Sequence, residues 1–324
     1  MSFFLKAEKK FLKIVRRLCY GHNLPKKDIA LISGNELNDY IYESLLGKDA
    51  FMVARYGSIE FDAAIYPYII KLPLIKRYLL FIRGRVDYVR REAAREQALI
   101  RPLCNNAGFF PQETSLIGRF SGLLLEDTFQ MDCCCCSPWI HEDLASDFFA
   151  KSIRFGNLND LEPYDYDCPW SKALEGKTVL VIHPFAKSIE SQYARREKLW
   201  ENQNVLPKFE LKTIKAVQSI AGEPTPFKSW FEALDFMKTE MDTIDYDVAI
   251  IGCGAYGFHL AAHAKRTGHK AIHMGGATQI LFGIKGKRWE ALPTVSKFFN
   301  EYWISPLPEE TPQNIHKVEN GCYW

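Results

Sequence analysis

Residues 247–276 read DVAIIGCGAYGFHLAAHAKRTGHKAIHMGG, and this stretch sets the fold class. A short apolar run, β-branched at Val248, Ile250 and Ile251, stops at Gly252-Cys253-Gly254-Ala255-Tyr256-Gly257. A helix-like segment over 259–266 follows, ended by Gly268, and a second apolar strand over 270–273 runs into Gly275-Gly276. Strand, Gly-rich turn, helix and strand make one βαβ unit. Glycines between a strand and a helix let backbone N–H groups approach an anion at the positive end of the helix. Gly252, Gly254, Gly257, Gly275 and Gly276 are therefore expected to border a phosphate or pyrophosphate. The G-x-G-x-x-G spacing by itself is a weak signal, and its place between strand and helix strengthens it.

Upstream, strand and helix patterns alternate. Residues 178–182 (TVLVI) form a buried strand that ends at His183-Pro184-Phe185. A helix over 188–199, a strand over 209–217 and an amphipathic helix over 229–244 follow. That alternation predicts an α/β, Rossmann-like fold, with a mostly parallel sheet covered by helices on both faces. Ligands in such sheets sit at the carboxyl ends of the strands, which places His183, His273 and both Gly-rich turns on one edge.

Earlier in the chain, residues 49–57 (DAFMVARYG) are a strand running into a turn. A helix over 58–66 follows, with Ser58 as its N-cap, Glu60 in its first turn and Pro67 and Pro73 breaking the pattern. Glu60 suits the helix dipole, and it also lies just past the carboxyl end of a strand. Residues 76–101 are strongly basic and read as helical from 86 onward; such a run is usually a solvated face, with an anionic substrate or lipid headgroup as the sharper alternative. Residues 115–120 and 132–136 read as strands, 148–155 as a further apolar element, and the acidic, turn-rich 157–167 as a linker or long surface loop. Four contiguous cysteines, 133–136, point to alternate faces of a strand and cannot wrap one metal, so they read as small apolar residues.

Residues 1–20 have helical periodicity. Phe4, Phe11, Val15 and Leu18 form a stripe with Leu5 and Leu12 beside it, and the lysines and arginines lie mostly elsewhere. Two outcomes are open: a stripe packed on the domain, or a basic amphipathic helix lying on an anionic membrane surface. The expected layout is a helical extension over 1–48, an α/β catalytic domain over 49–304 with an internal boundary near 157–170, and an irregular Pro-marked tail over 305–324.

The whole chain of 324 residues carries a formal charge of +2, which gives no argument for nucleic acid as a partner. No apolar run is long enough to span a bilayer and no signal peptide is seen. Nine cysteines, mostly isolated, fit a reducing cytoplasm better than a disulfide scaffold.

The Gly-rich turn first suggests a hydride-transfer enzyme or a methyltransferase. Both want an acidic residue at the end of the next strand, and here that strand ends His273-Met274-Gly275. A sugar-nucleotide transferase needs less: backbone donors and cations for a diphosphate, and a carboxylate or His near the acceptor hydroxyl.

The segment Arg55-Tyr56-Gly57-Ser58-Ile59-Glu60 resembles the R-F-G-D-G-E motif of the glycosyltransferases with the GT-D fold, and the later pieces resemble that group in patches over residues 51–289. The resemblance implies a transferase of surface polysaccharide or lipopolysaccharide assembly, cytoplasmic or peripheral at the inner membrane face. Its donor would be a nucleotide sugar and its acceptor a saccharide or lipid-linked saccharide. In that family the Asp-x-Glu pair is associated with a divalent metal (Mn or Mg) and the donor diphosphate. Mapped here, Arg55, Gly57 and Ser58 would contact the nucleotide and Glu60 would hold the metal or orient the acceptor. Ser58 stands where the family has Asp, and one carboxylate binds a hard cation less tightly than two. Without the metal, Arg55, Arg288 or Lys287 would carry the phosphate charge. His183 is a candidate acid/base, and Gln279 and Arg288 are further candidates beside the last Gly-rich turn. A non-catalytic nucleotide-binding protein of polysaccharide assembly is the alternative outside enzymology.

Overall fold

The computed structural model describes residues 3–23, 30–136 and 153–324. Eight strands form one all-parallel sheet: β1 Leu31–Ile32, β2 Phe51–Ala54, β3 Cys133–Cys136, β4 Arg154–Asn157, β5 Thr178–His183, β6 Glu210–Lys215, β7 Val248–Ile251 and β8 Lys270–His273. Their spatial order is β1-β4-β3-β2-β8-β7-β5-β6. Both faces of the sheet are buried, which is why its strands are runs of β-branched and small apolar residues rather than alternating ones. Met52, Ala54, Leu180, Ile182, Ala249 and Ile251 face one core. Phe51, Val53, Val179, Val181, Val248 and Ile250 face the other.

The first core is covered by α3 Ser58–Lys71, α5 Ala93–Ala107 and α6 Ile117–Thr128, together with α8 Trp230–Asp242 and α9 Gly257–Arg266. The second is covered by α2 Asn35–Leu46 and α7 Ala186–Tyr193, with Trp170, Trp200 and Trp303 filling the space between elements. Cys133 and Cys135 enter the second core and Cys134 the first, as the alternation of a strand requires.

Polar ties fix α9 against its neighbours. Lys265 meets Asp132 at 2.7 Å, and the same Asp132 carboxylate accepts the Met52 amide at 2.9 Å. Asp127 on α6 receives both His259, at 2.6 Å, and Arg266. These contacts lock the helix that follows β7 to the strands and helices around β2.

Several expectations change. Residues 115–120 are helical, not a strand: a 3-10 turn over Thr114–Leu116 leads into α6. Ile117, Phe120, Ser121, Leu124 and Thr128 are its buried positions, a helical spacing that a six-residue window is too short to reveal. Pro67 does not break α3, which continues to Lys71, because burial of Phe61, Ala64, Ile65 and Ile69 offsets one lost backbone hydrogen bond. The basic region is two helices, α4 Leu74–Ile82 and α5, joined by irregular chain over 83–92 that buries Tyr88 and Val89. Three of its arginines form ion pairs at the surface, as a solvated face would: Arg90 with Glu8 at 2.8 Å, Arg91 with Glu96 at 2.7 Å and Arg95 with Asp87 at 2.9 Å.

The stretch 157–167 is packed rather than a free linker. Leu161 and Tyr164 are buried, and Trp170 Nε1–H donates to the Leu161 carbonyl at 2.9 Å. Part of the expected extension over 1–48 is integral to the sheet, since β1 pairs with β4 and α2 buries Leu37, Ile41 and Leu45. The tail over 305–324 also packs into the body of the fold. In the 148–155 element, 148–152 lies outside the described residues, and β4 begins at Arg154.

Candidate active-site cleft at the carboxyl edge

From β5 the chain moves outward to β6, whereas from β7 it moves inward to β8. The connections leaving the neighbours β5 and β7 diverge, and a crevice opens outside their carboxyl ends. A cleft enclosing about 1080 Å³, part of it open to solvent, occupies that place. Arg55, Gly57, Ser58, Glu60, His183, Gly252, Gly254, Gly275, Gly276, Gln279 and Arg288 all line it. Residues more than 200 positions apart thus meet, because β2 and β8 are hydrogen-bonded neighbours. Gly257 and Lys287 do not line it.

The glycines serve mainly close packing. A Cβ on Gly252 would lie 2.3 Å from the Gly275 carbonyl oxygen and 2.6 Å from Thr278 Oγ1. Gly254 adopts φ 57° with the Ala107 carbonyl oxygen 2.7 Å from the position of a Cβ, so only glycine fits there without strain. Gly257 faces inward: a Cβ there would meet His273 Nε2 at 2.5 Å. The missing side chain leaves room for the His273 ring.

The charge of Arg55 acts on two carboxylates, Glu60 and Glu162. Its Nη2 donates to the Tyr56 carbonyl at 3.1 Å, and its buried Nε has no hydrogen-bond partner among the described residues. Burial raises the Glu60 pKa above the ordinary carboxylate range, against the opposing pull of Arg55 and of a hydrogen bond from its own amide. Glu162, on the loop after β4, is pushed up to about 7 by burial, again with Arg55 opposing. The N-cap of α3 is Gly57, not Ser58, and it makes no side-chain cap. Instead the Glu60 carboxylate folds back over Gly57, with Oε2 only 1.9 Å from where a Cβ would stand. Glycine at 57 is what lets Glu60 take this position.

His183 and His273 are buried and neutral, each lowered to about 3 by burial. The Phe185 N–H donates to His183 Nδ1 at 3.0 Å, so the His183 ring carries its proton on Nε2 and is a donor. With so low a pKa it does not exchange protons near neutral pH, contrary to an acid/base role. His273 Nδ1–H donates to the Arg55 carbonyl at 3.1 Å, leaving Nε2 buried and, among the described residues, without a hydrogen-bond partner.

Gln279 is fully buried, and its Nε2 donates to the carbonyls of Ile284, Lys285 and Tyr323 at 3.3, 3.1 and 3.1 Å. It holds the last loop and the tail to the cleft. Arg288 projects from the short helix α10 Lys287–Glu290, where it pairs with Glu319 and lies over the Tyr323 ring at 4.8 Å. The Lys287 ammonium donates to the Asn320 carbonyl at 3.4 Å.

The donor set does not make a hard-cation site. Glu60 is the one carboxylate of the resembled motif present. Ser58 is exposed, and Asp62 opens toward a different cavity with Arg85 and Tyr88. The remaining acid of the cleft, Glu319, is paired with Arg288. Arg55 and Arg288 match Glu60 and Glu319 charge for charge, and among the described residues no three His, Cys, Asp or Glu side chains gather where they could hold a metal ion.

The sequence put His273 on this edge without giving it a role, and it missed Gln218 and Ser219 after β6, Asn106 and Gly108 at the end of α5, and Glu319, Tyr323 and Trp324 of the tail. The rule of strand carboxyl ends could have flagged Gln218 and Ser219. Nothing local marks the tail, whose aromatics are placed by contacts with residues 276–288. Its Glu310 is buried at the N-terminus of α7 and accepts the amides of Lys187 and Ser188 at 2.8 and 3.2 Å. That helix end is therefore not open to a phosphate, although it follows His183 directly.

No protein-family model matches the chain, and no curated protein matches it in sequence. Two solved structures align with it along most of their length. One is described as a selenomethionine-substituted structure of domain of unknown function 1792; it is 12% identical, covers 93% of this chain and 96% of its own, and has a TM-score of 0.45. The other is described as showing that the highly conserved domain of unknown function 1792 has a distinct glycosyltransferase fold; it is 12% identical, covers 94% of this chain and 96% of its own, and has a TM-score of 0.43. At this identity and these scores the likeness transfers no activity.

Proposed function

We propose that the protein is a glycosyltransferase of the GT-D type, moving a sugar from a nucleoside-diphosphate donor to a hydroxyl of a saccharide or lipid-linked saccharide in surface-polysaccharide assembly. The observation that carries this reading is the convergence of Arg55, Glu60, His183 and Arg288 in one cleft at the sheet's carboxyl edge. The cleft offers cations and a neutral N–H donor for a diphosphate, and a carboxylate of raised pKa for an acceptor hydroxyl. Its neighbours among the described residues carry free thiols only, which suits the cytoplasmic face of a membrane.

In this reading the acceptor oxygen attacks the anomeric carbon while Glu60 takes its proton. The bond from the anomeric carbon to the diphosphate oxygen breaks, and the leaving diphosphate keeps the electron pair. Arg55, Arg288 and the His183 Nε2–H meet that developing charge, which is where preorganised donors contribute most. Arg288 exchanges Glu319 for phosphate oxygens. No step uses a metal, so chelation should leave transfer within about twofold and added manganese should not raise it further; a strict manganese requirement would overturn this part.

A dinucleotide or S-adenosylmethionine enzyme is disfavoured by the end of β8. The position that should hold a ribose-binding carboxylate carries His273, engaged with the Arg55 backbone. Thermal-shift measurement with nucleoside-diphosphate sugars, NAD and S-adenosylmethionine separates the readings. A sugar nucleotide should raise the melting temperature by mass action and be consumed with a saccharide acceptor. Stabilisation by NAD or S-adenosylmethionine alone would reject the proposal.

A further inference from the structure

The N-terminal helix α1 Phe3–Tyr20 docks on the domain by one side and leaves a second, chemically distinct side to solvent. The docked side is polar as well as apolar. Leu12 is buried, Glu8 accepts the Tyr78 hydroxyl at 2.5 Å and pairs with Arg90, Lys9 meets Glu92 at 2.7 Å, and Arg16 donates to the Phe81 carbonyl. Of the two outcomes open for the apolar stripe, burial on the core is not the one found. Phe4 is 82% exposed, Phe11 64%, Ile14 50% and Leu18 82%. On the helical wheel Lys10 and Arg17 flank Ile14, and Lys6 and Lys13 stand further round the same side; all four are exposed and, among the described residues, without a carboxylate partner. Glu8 is the helix's single acid, and it is turned inward. The outward side is therefore an apolar strip edged by positive charge alone. The adjoining helix α4 adds Ile75, 65% exposed, and Leu79, 44% exposed.

We infer that this side of α1, with Ile75 and Leu79 of α4, is a docking surface for an anionic lipid bilayer. The apolar strip would enter the headgroup boundary while the lysines and Arg17 meet lipid phosphates. The charge pattern selects this occupant. A second copy of the same face would bring two basic edges together, and a neutral apolar partner would leave the four cations unused. Among the described residues no helix is long and apolar enough to cross a membrane, so the surface lies on the bilayer rather than through it.

The test is sedimentation of the full chain with vesicles of phosphatidylcholine, with and without phosphatidylglycerol. The chain should pellet with the phosphatidylglycerol vesicles, stay in solution with phosphatidylcholine alone, and be released by salt. Lys10→Glu with Lys13→Glu should weaken partitioning about fivefold or more for each cation removed. Phe11→Asp with Ile14→Asp should abolish it with the melting temperature retained, since both side chains are exposed. The inference fails if wild type stays in solution with phosphatidylglycerol vesicles, or if both variants bind as wild type does. It also fails if light scattering shows a dimer that the Phe11/Ile14 variant dissociates while vesicles bind neither protein. Hydrolysis of a sugar nucleotide in free solution reads the cleft alone, so failure here and failure of the transferase proposal are told apart.

Discussion

Glu60 owes its position to the absence of a side chain three residues earlier. The Gly57 backbone, φ −74° and ψ 140°, suits alanine, so Gly57→Ala should fold, yet its new Cβ would occupy the space of the Glu60 carboxylate. Turnover should fall at least tenfold with little change in melting temperature, approaching the loss of about 10²–10⁴ expected for Glu60→Gln if the carboxylate is the base. Full activity in Gly57→Ala would show that the folded-back position is not the working one. Glu60 also has a thermodynamic signature. Its folded pKa is raised above the ordinary value of 4.5, so its contribution to stability is complete below 4.5 and is lost as pH rises through the folded value. Glu60→Gln should therefore melt at or above wild type near pH 8 and lose that advantage in acid. A lower melting temperature at pH 8 would point to a structural role instead.

Among elements, α7 shows how a remote segment finishes a site. Glu310, from the tail, caps its N-terminus and also accepts the Ser188 hydroxyl at 2.5 Å. Glu310→Ala should cost about 1–3 kcal/mol in chemical denaturation. It should also weaken sugar-nucleotide binding, because the loop that carries His183 leads straight into this helix. An unchanged stability would mean that water replaces the carboxylate. The sequence announced the βαβ unit and β5 clearly, since long β-branched runs and a helix closed by Gly268 carry their own periodicity. It misplaced residues 115–120, where six residues with apolar side chains only at 116, 117 and 120 are too few to fix a period, and it stopped α3 at Pro67, where tertiary packing outweighs the local penalty. Arg55, Glu60, His183 and Arg288 were legible from strand ends and from a short motif. The tail was not, because the Glu310 carboxylate and the Tyr323 ring find partners more than 30 residues away, in α7 and at Gly276 and Arg288.

At the scale of the molecule, three buried histidines make the fold acid-sensitive. His183 and His273 are lowered to about 3, and His259 is lowered too, by burial that outweighs its Asp127 partner. A histidine with a depressed folded pKa stabilises above its ordinary value of 6.5, and the gain is lost as pH falls below that, because the unfolded chain takes up protons the native one refuses. Stability should therefore decline by up to about 1.4 kcal/mol per pH unit for each such ring below that value. Denaturant midpoints measured from pH 7 to pH 5 check this, and a flat profile would contradict the burial. The pairing of β2 with β8 has a further consequence, in time rather than in energy. Phe51 finds Lys270 only after more than 200 residues have been made, and the loop to be closed carries an entropy cost that grows with the logarithm of its length. During synthesis β2 must wait at the middle of an unfinished sheet, exposing a strand edge that nothing yet covers. The cleft is among the last features to form, so donor binding reports that folding is complete, and a nascent chain halted before residue 270 has no site to fill.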